Sequence, residues 1–499
     1  MIKKLFFLLL LAGTCIASQA QIARPKLVVG IIIDQMRWDA LYYYYDKFED
    51  GGFKRLLNEG FSCENHHINY IPTITAVGHA SVYSGTSPAF HGIAGNDFTI
   101  DGKIVYCCSD NQVQSVGSNN NAGQMSPRNF LASTIGDQLR MASDFKSKVY
   151  GVALKDRASI LPAGHSANGA FWYDTEAGHF ITSTYYMQQL PEWIKQFNAT
   201  HPNKPGVDMK MKPEGVTLTF DLAETILKSE NLGKNTETSI PDMLCVSISP
   251  TDAMGHAFGT RGDEMESVYL TTDRGLSKFL RTLDEQVGKG NYLVFLTADH
   301  AGAHNPNFLS SHKMASGGTD VAGYVKQINA KLAEKFHITG KLISAVYDQR
   351  VYLDHELINN NKLDLAQVKE EAIKQLQQVK DFVYVTDFEK VATASIPEPI
   401  KERIINGYRP GRSGDICAIL RPAYLGYSFD EKYRGTTHGA WNPYDAHIPL
   451  IMMGWHIPQG STTQPTRTVD TAPTVCALLH VQMPNACSGT AITPITDKR

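Results

Sequence analysis

The chain has 499 residues, 42% of them hydrophobic and 19% charged, with a formal net charge of −3. That length exceeds the usual single core, so one large α/β domain with insertions, or two domains, is expected. The near-neutral balance supplies no basic face for nucleic acid, and no stretch beyond the N-terminus is long and apolar enough to cross a bilayer.

Residues 1–20, "MIKKLFFLLLLAGTCIASQA", carry two lysines, a short apolar run and a small-residue end. This reads as a secretory signal peptide cleaved after Ala20, which leaves residues 21–499 as a periplasmic or secreted protein. A lipid attachment at Cys15 would want Gly or Ala before it, and Thr14 stands there.

Apolar runs predict buried parallel strands at 26–34 ("KLVVGIIID"), 148–155, 242–249, 291–299 and 447–454. Residues 264–288 place Met265, Tyr269, Leu276, Phe279, Leu280, Leu283 and Val287 on one helical stripe. Another helix opens with Asp364 and Gln367 in capping-box positions. Strands alternating with helices predict an α/β fold: a mainly parallel central sheet with helices on both faces. Residues 97–147 and about 160–235 read as loops or a cap over the sheet edge, and about 340–415 as a smaller inserted lobe. Seven cysteines follow the leader, none in CxxC spacing. Cys476 with Cys487, and Cys63 with Cys107 or Cys108, are candidate pairs, and the odd count leaves one thiol over.

Three predicted strands run out in aspartate: Asp34, Asp252 and Asp299. One such ending is an ordinary turn former, but three at the carboxyl ends of sheet strands mark a common crevice. Each has histidine company. His256 follows Asp252 by one helical turn, His300 follows Asp299 directly, and His438 precedes the last strand. Three carboxylates and three imidazoles match two zinc ions with three protein ligands each. The mixed oxygen and nitrogen set suits zinc better than calcium or magnesium, and better than manganese or iron. In "IPTITAVGHASVYSG", residues 71–85, a threonine at a helix start is ordinarily a cap. Beside metal ions it acquires a second use, because coordination activates a hydroxyl and the helix N-terminus welcomes an anion. His79 then packs or orients a neighbour.

The segments "GIIIDQMRWD", "YIPTITAVGHASVYSGTSPAFHGIAGN", "LKDRASILPAGH", "TDAMGHAFG", "TADHAGAH" and "GTTHGAWNPYDAHIPL" together resemble the alkaline phosphatase superfamily, and most closely its phosphate-insensitive PafA-type bacterial members. The resemblance spans nearly the whole mature chain. It implies an alkaline phosphatase-like fold, one zinc on Asp252, His256 and His438, and a second on Asp34, Asp299 and His300 that also touches the nucleophile Thr75. Thr73 would shape the turn. Ala301 departs from the glycine more common after this histidine, which bears on the local backbone angle.

A phosphate monoester presents three non-bridging oxygens and needs extra donors. Lys155 and Arg157, two apart in an expected extended run, point the same way, and Asn96 adds a neutral donor. The resemblance assigns these three to the phosphoryl oxygens and implies a two-step mechanism through a phosphothreonine, active above neutral pH. The expected substrates are small phosphate monoesters. A phosphodiesterase or nucleotide pyrophosphatase of the same superfamily, or a non-catalytic phosphate- or metal-binding protein, are the alternatives. No C/S-x-P-x-R sequence supports a sulfatase, and the leader argues against a cytosolic phosphoglycerate mutase. Physiological substrate, oligomeric state and disulfide pairing are not legible.

Overall fold

A computed structural model describes residues 22–497, so the expected leader at residues 1–20 lies outside the described residues. The apolar runs form strands because residues buried on both faces of a sheet need no polar alternation. In chain order the principal elements begin with β1 (Leu27–Ile33), α1 (Thr75–Ser84), β2 (Val149–Ala153), α2 (Asp156–Ala163), β3 (Gly169–Asp174) and β4 (His179–Ser183). They continue with β5 (Asp242–Ile248), α3 (Pro250–Phe258), α4 (Asp263–Gln286) and β6 (Tyr292–Thr297). A smaller lobe carries β7 (Ile343–Tyr347), β8 (Arg350–Leu353), β9 (Phe382–Asp387) and β10 (Ile416–Leu420), and β11 (Leu450–Gly454) returns to the main sheet.

The ten-stranded sheet runs Gly460–Thr462, Phe61–Cys63, β11, β6, β1, β5, β2, β3, β4, Ser115–Val116. Strands β6, β1, β5, β2 and β3 are parallel, and apolar clusters fill both faces. Two expectations need correcting. Strand β11, expected parallel, pairs antiparallel with β6; an apolar run specifies burial but not direction. Residues 169–183, within the stretch expected as loops or a cap, instead continue the sheet as β3 and β4. Phe171, Trp172, Tyr173, Phe180 and Ile181 are buried there, and aromatic side chains suit a pleated, packed surface.

The lobe is an antiparallel sheet ordered β7-β8-β10-β9 with its own apolar cluster. Helix Leu365–Leu376 is capped by Asp364, which accepts from the Ala366 N–H; the reciprocal Gln367 contact of a capping box is not formed. The candidate disulfides are not formed either: all seven cysteines are free thiols. Cys63 belongs to a different core cluster from Cys107 and Cys108.

Register brings three strand ends level. Ile33 at the end of β1 lies opposite Ile248 of β5, and Ile32 lies opposite Thr297 of β6. The segments after these three neighbouring strands therefore emerge together at the carboxyl edge, where open α/β sheets bind ligands.

Candidate active site

Neither threonine of the Pro-Thr-Ile-Thr segment caps α1. The cap position is Ile74, which makes no side-chain cap bond, and Thr75 is the first helical residue. Thr73 instead ties down the loop that follows His438. Its hydroxyl donates to the Ala440 carbonyl at 2.8 Å and accepts from the Gly439 N–H at 3.2 Å, and its own carbonyl accepts from His438 Nδ1 at 2.8 Å. Thr75 Oγ1 has only long contacts, 3.4 Å to His300 Nε2 and 3.5 Å to Lys155 Nζ. Gly78 lets α1 come this close: a Cβ there would stand 2.1 Å from the Asp299 carbonyl oxygen.

The three histidines share one arrangement. Nδ1 donates to a backbone carbonyl in each: His256 to Thr436 at 3.0 Å, His300 to Ala301 at 3.0 Å, His438 to Thr73 at 2.8 Å. A carbonyl only accepts, so Nδ1 carries the proton and Nε2 keeps its lone pair for the pocket, as in metal-ligating histidines. The Nε2 atoms of His256 and His438 lie 3.2 and 3.5 Å from Asp252 Oδ1. His300 Nε2 lies 3.5 Å from Asp34 Oδ1 and 3.4 Å from Asp299 Oδ2. One ligand atom from each of Asp252, His256 and His438 falls within 4.8 Å of the others, and the same holds for Asp34, Asp252 and His300. Asp252 thus stands between the two groups. Ala301 has an ordinary, non-left-handed φ, so the departure from glycine needs no unusual backbone.

Lys155 enters the same pocket from the end of β2. Its ammonium lies 2.6 Å from Asp34 Oδ2 and 2.5 Å from Asp252 Oδ2. The extended run expected through Arg157 is not found: α2 begins at Asp156, so only Lys155 is extended. Arg157 Nη1 donates to the Tyr106 hydroxyl at 3.1 Å, and that hydroxyl donates to Asp156. Asn96 Oδ1 accepts from the Ala76 N–H at 3.1 Å, which places it beside the first turn of α1.

One contributor was missed by sequence reasoning. Gln35, with φ of 63°, donates from Nε2 to Asp252 Oδ1 at 2.7 Å and from its backbone N–H to Asp299 Oδ1 at 3.2 Å. Its position directly after Asp34 was the available signal, together with Gly255 and Gly302, where a Cβ would strike the Gln35 side chain. His79 is within hydrogen-bonding distance of the Thr75 carbonyl and Ser247 Oγ, both 2.8 Å, with Nδ1 3.3 Å from Asp299 Oδ2. It orients these groups from behind.

Electrostatics point to missing positive charge. Burial, and next the neighbouring Asp299 carboxylate, push the Asp34 carboxyl well above its usual range. Burial also works to raise Asp252, but the Lys155 ammonium leads the influences that overcome it and hold that group well below the ordinary value. Burial takes His300 down to about 3. Asp34 Oδ1 and Asp299 Oδ2 are buried without any hydrogen-bond partner. Three buried carboxylates served by one buried ammonium, with three imidazole lone pairs beside them, fit divalent cations.

An open parallel sheet with carboxylates and imidazoles gathered at its carboxyl edge is the arrangement of the alkaline phosphatase superfamily. Within it, the chain belongs to the type I phosphodiesterase / nucleotide pyrophosphatase family, which residues 28–445 match. It is of the PafA type. It is 43% identical to alkaline phosphatase PafA of Elizabethkingia meningoseptica, over 99% of this chain and 98% of that one. It is also 43% identical to a Myroides odoratus protein named calcium-transporting ATPase, over 96% of each. The crystal structure of wild-type PafA superposes with a TM-score of 0.90 at 43% identity, covering 95% of this chain and 99% of that chain. A further PafA structure is of a variant changed at a threonine, an asparagine, a lysine and an arginine. Its threonine and asparagine are separated in sequence as Thr75 and Asn96 are, and its lysine and arginine as Lys155 and Arg157 are. Among the described residues, no helix is long and apolar enough to cross a membrane.

Proposed function

We propose that this chain is an exported phosphate monoesterase, an alkaline phosphatase, with Thr75 as nucleophile. The observation that carries the reading is the Thr75 hydroxyl. It sits at the first residue of α1, without a short hydrogen bond, 3.4 Å from His300 Nε2 and beside the carboxylate–imidazole pocket. Asp252, His256 and His438 would hold one divalent ion and Asp34, Asp299 and His300 a second, with Asp252 near both. Zinc at these sites would lower the pKa of the hydroxyl and take up charge on the departing oxygen.

The remaining work falls to the chain. Thr75 Oγ1, having lost its proton to solvent, attacks phosphorus in line as the ester P–O bond breaks and the alcohol leaves. Water then attacks the phosphothreonine from the vacated side, breaking its P–O bond, releasing phosphate and restoring Thr75. Ala76 N–H is taken by Asn96 Oδ1, and the helix N-terminus as a whole favours an anion in front of Thr75. Lys155 is held protonated: burial opposes its charge, but Asp252 and Asp34 raise its pKa above the usual lysine value. Lys155, Arg157 and Asn96 supply the donors that a monoester's three oxygens require and that a diester, with one oxygen esterified, needs less. The leader-like sequence at residues 1–20 supports export.

The test compares p-nitrophenyl phosphate, its bis-ester and ATP on the zinc-loaded protein. ATP belongs in the panel because its terminal phosphoryl group presents the same three oxygens. Preference for the monoester is expected, with loss of turnover in Thr75→Ala at unchanged zinc content. Preference for the bis-ester would defeat the monoesterase reading, and full activity in Thr75→Ala would defeat the nucleophile.

A further inference from the structure

The tip of the lobe hairpin reaches into the active-site half of the molecule. Strands β7 and β8 pair Tyr347 with Arg350 across a two-residue loop, Asp348-Gln349, whose φ angles are 47° and 66°. Both central residues are left-handed, as the tightest hairpin turn requires, so the first residue of β8 is delivered in a fixed direction. That residue is Arg350, only 2% exposed although it carries a charge.

Two of the three hydrogen bonds of its guanidinium go to one short loop, and its Nε is buried without a partner. Nη1 donates to the Ala94 carbonyl, and Nη2 donates to the Asp97 carbonyl at 3.4 Å and to Asp348 Oδ2 at 3.1 Å. Ala94 and Asp97 flank Gly95 and Asn96. Gly95 accommodates the grip: a methyl there would stand 2.3 Å from Nη2 and 2.6 Å from the Asp97 carbonyl oxygen. Asn96 is otherwise held by its backbone, whose carbonyl accepts from the Cys107 N–H at 2.8 Å, and by its Oδ1 bond to the Ala76 N–H at 3.1 Å. A planar fork binding carbonyls at both ends of the Gly95-Asn96 pair fixes that backbone in a way a lysine cannot.

We infer that Arg350 is a positioning residue: from the small lobe, it holds the Ala94–Asp97 loop so that the Asn96 amide meets a phosphoryl oxygen. This rests on the proposed role of Asn96 as a phosphoryl donor. It gives the lobe a part in turnover through Arg350, which acts on the loop and not on substrate. The opposite face of the hairpin has a matching contact, since Gln349 Nε2 donates to the Gly439 carbonyl at 3.1 Å, next to His438.

The experiment is a double-mutant cycle on zinc-loaded, monodisperse protein, reading kcat/KM for p-nitrophenyl phosphate and the inhibition constant of inorganic phosphate. Arg350→Lys keeps the charge and loses the fork, while Gly95→Ala disturbs the same grip from the loop side and keeps Arg350. Each is expected to lower kcat/KM about ten- to a hundredfold, the scale of a small misplacement of a catalytic contact, with zinc content unchanged. In an Asn96→Ala background each should cost less than about twofold, because the group being positioned is gone. A merely structural role would give the same loss in both backgrounds, and additive losses with an active Asn96→Ala effect overturn the inference alone. Absence of any effect of Asn96→Ala itself would overturn the reading of Asn96, and the inference with it. Should Arg350→Lys fail to fold, Gly95→Ala still decides between these outcomes.

Discussion

Replacing Thr73 by valine keeps shape and β-branching and removes one hydroxyl. That hydroxyl donates to the Ala440 carbonyl at 2.8 Å and accepts from the Gly439 N–H at 3.2 Å. An unpaired buried group costs about 1–3 kcal/mol, and the Ala440 carbonyl is only partly buried. A total near 2–3 kcal/mol is expected, felt mostly as loosening of residues 438–440. The Thr73 carbonyl that orients His438 survives the change, so the ligand set stays complete but is no longer held ready. Binding an ion must then reorder the loop, and each 1.4 kcal/mol so spent weakens affinity about tenfold. Zinc at the Asp252–His256–His438 group should therefore bind about ten- to a hundredfold more weakly, with kcat at saturating zinc within a few-fold of the parent. Competition with a chromophoric chelator measures the first quantity, and thermal unfolding of the metal-free protein measures the stability loss. A stability loss of the expected size with zinc affinity unchanged would refute the coupling of Thr73 to the His438 site.

Asp252→Asn should remove the ion held with His256 and His438 and weaken the second, because Asp252 lies within 4.8 Å of ligand atoms in both groups; two zinc ions still bound at parental affinity by the same chelator competition would exclude that shared influence. Gly78→Ala should cost turnover about a hundredfold, since the added methyl meets the Asp299 backbone at 2.1 Å and pushes Thr75 away; parental turnover would show that the close approach is unnecessary. His91 is fully buried, accepts from the Ile93 N–H through Nδ1 and is pushed down to about 3 by burial. The unfolded chain takes up this proton below about pH 6.5 and the folded one refuses it, so stability falls with acidification by about 1.4 kcal/mol per pH unit between 6.5 and 3. Urea unfolding of His91→Gln should show a shallower slope by that amount, and an identical slope would contradict the buried neutral imidazole.

What the sequence made legible was whatever depends on burial and on chain-local spacing. The runs before Asp34, Asp252 and Asp299 had to be strands, and Asp252 and His256 had to share a helical turn, because those patterns are imposed by neighbours in the chain. Strand direction escaped, as β11 shows, since an apolar run is the same read from either end. So did β3 and β4, whose aromatic content among glycines and asparagines imitates a cap until the sheet edge to cover is known. The Lys155–Arg157 geometry was misjudged because an extended run and a strand-to-helix turn share the first residue and differ only after it. Gln35 and Arg350 were invisible for a different reason: their partners, Asp252 and the Ala94–Asp97 loop, lie 217 and about 250 residues away. No local pattern encodes such a contact.

The family embraces diesterases, and the fold does not choose between them and monoesterases; the charge of the pocket does. Asp34, Asp252 and Asp299 are each within hydrogen-bonding distance of a histidine or lysine nitrogen, yet the positive groups present leave two carboxylate oxygens unpartnered. Two divalent ions would more than repair that deficit. Counting Lys155 as an ammonium against the three carboxylates, two divalent ions would leave the loaded pocket with a positive surplus. A dianionic monoester cancels more of such a surplus than a monoanionic diester, and in a site shielded from water that difference is large. The lysine that now bridges Asp34 and Asp252 is thus the residue whose charge the metal ions would set free for substrate.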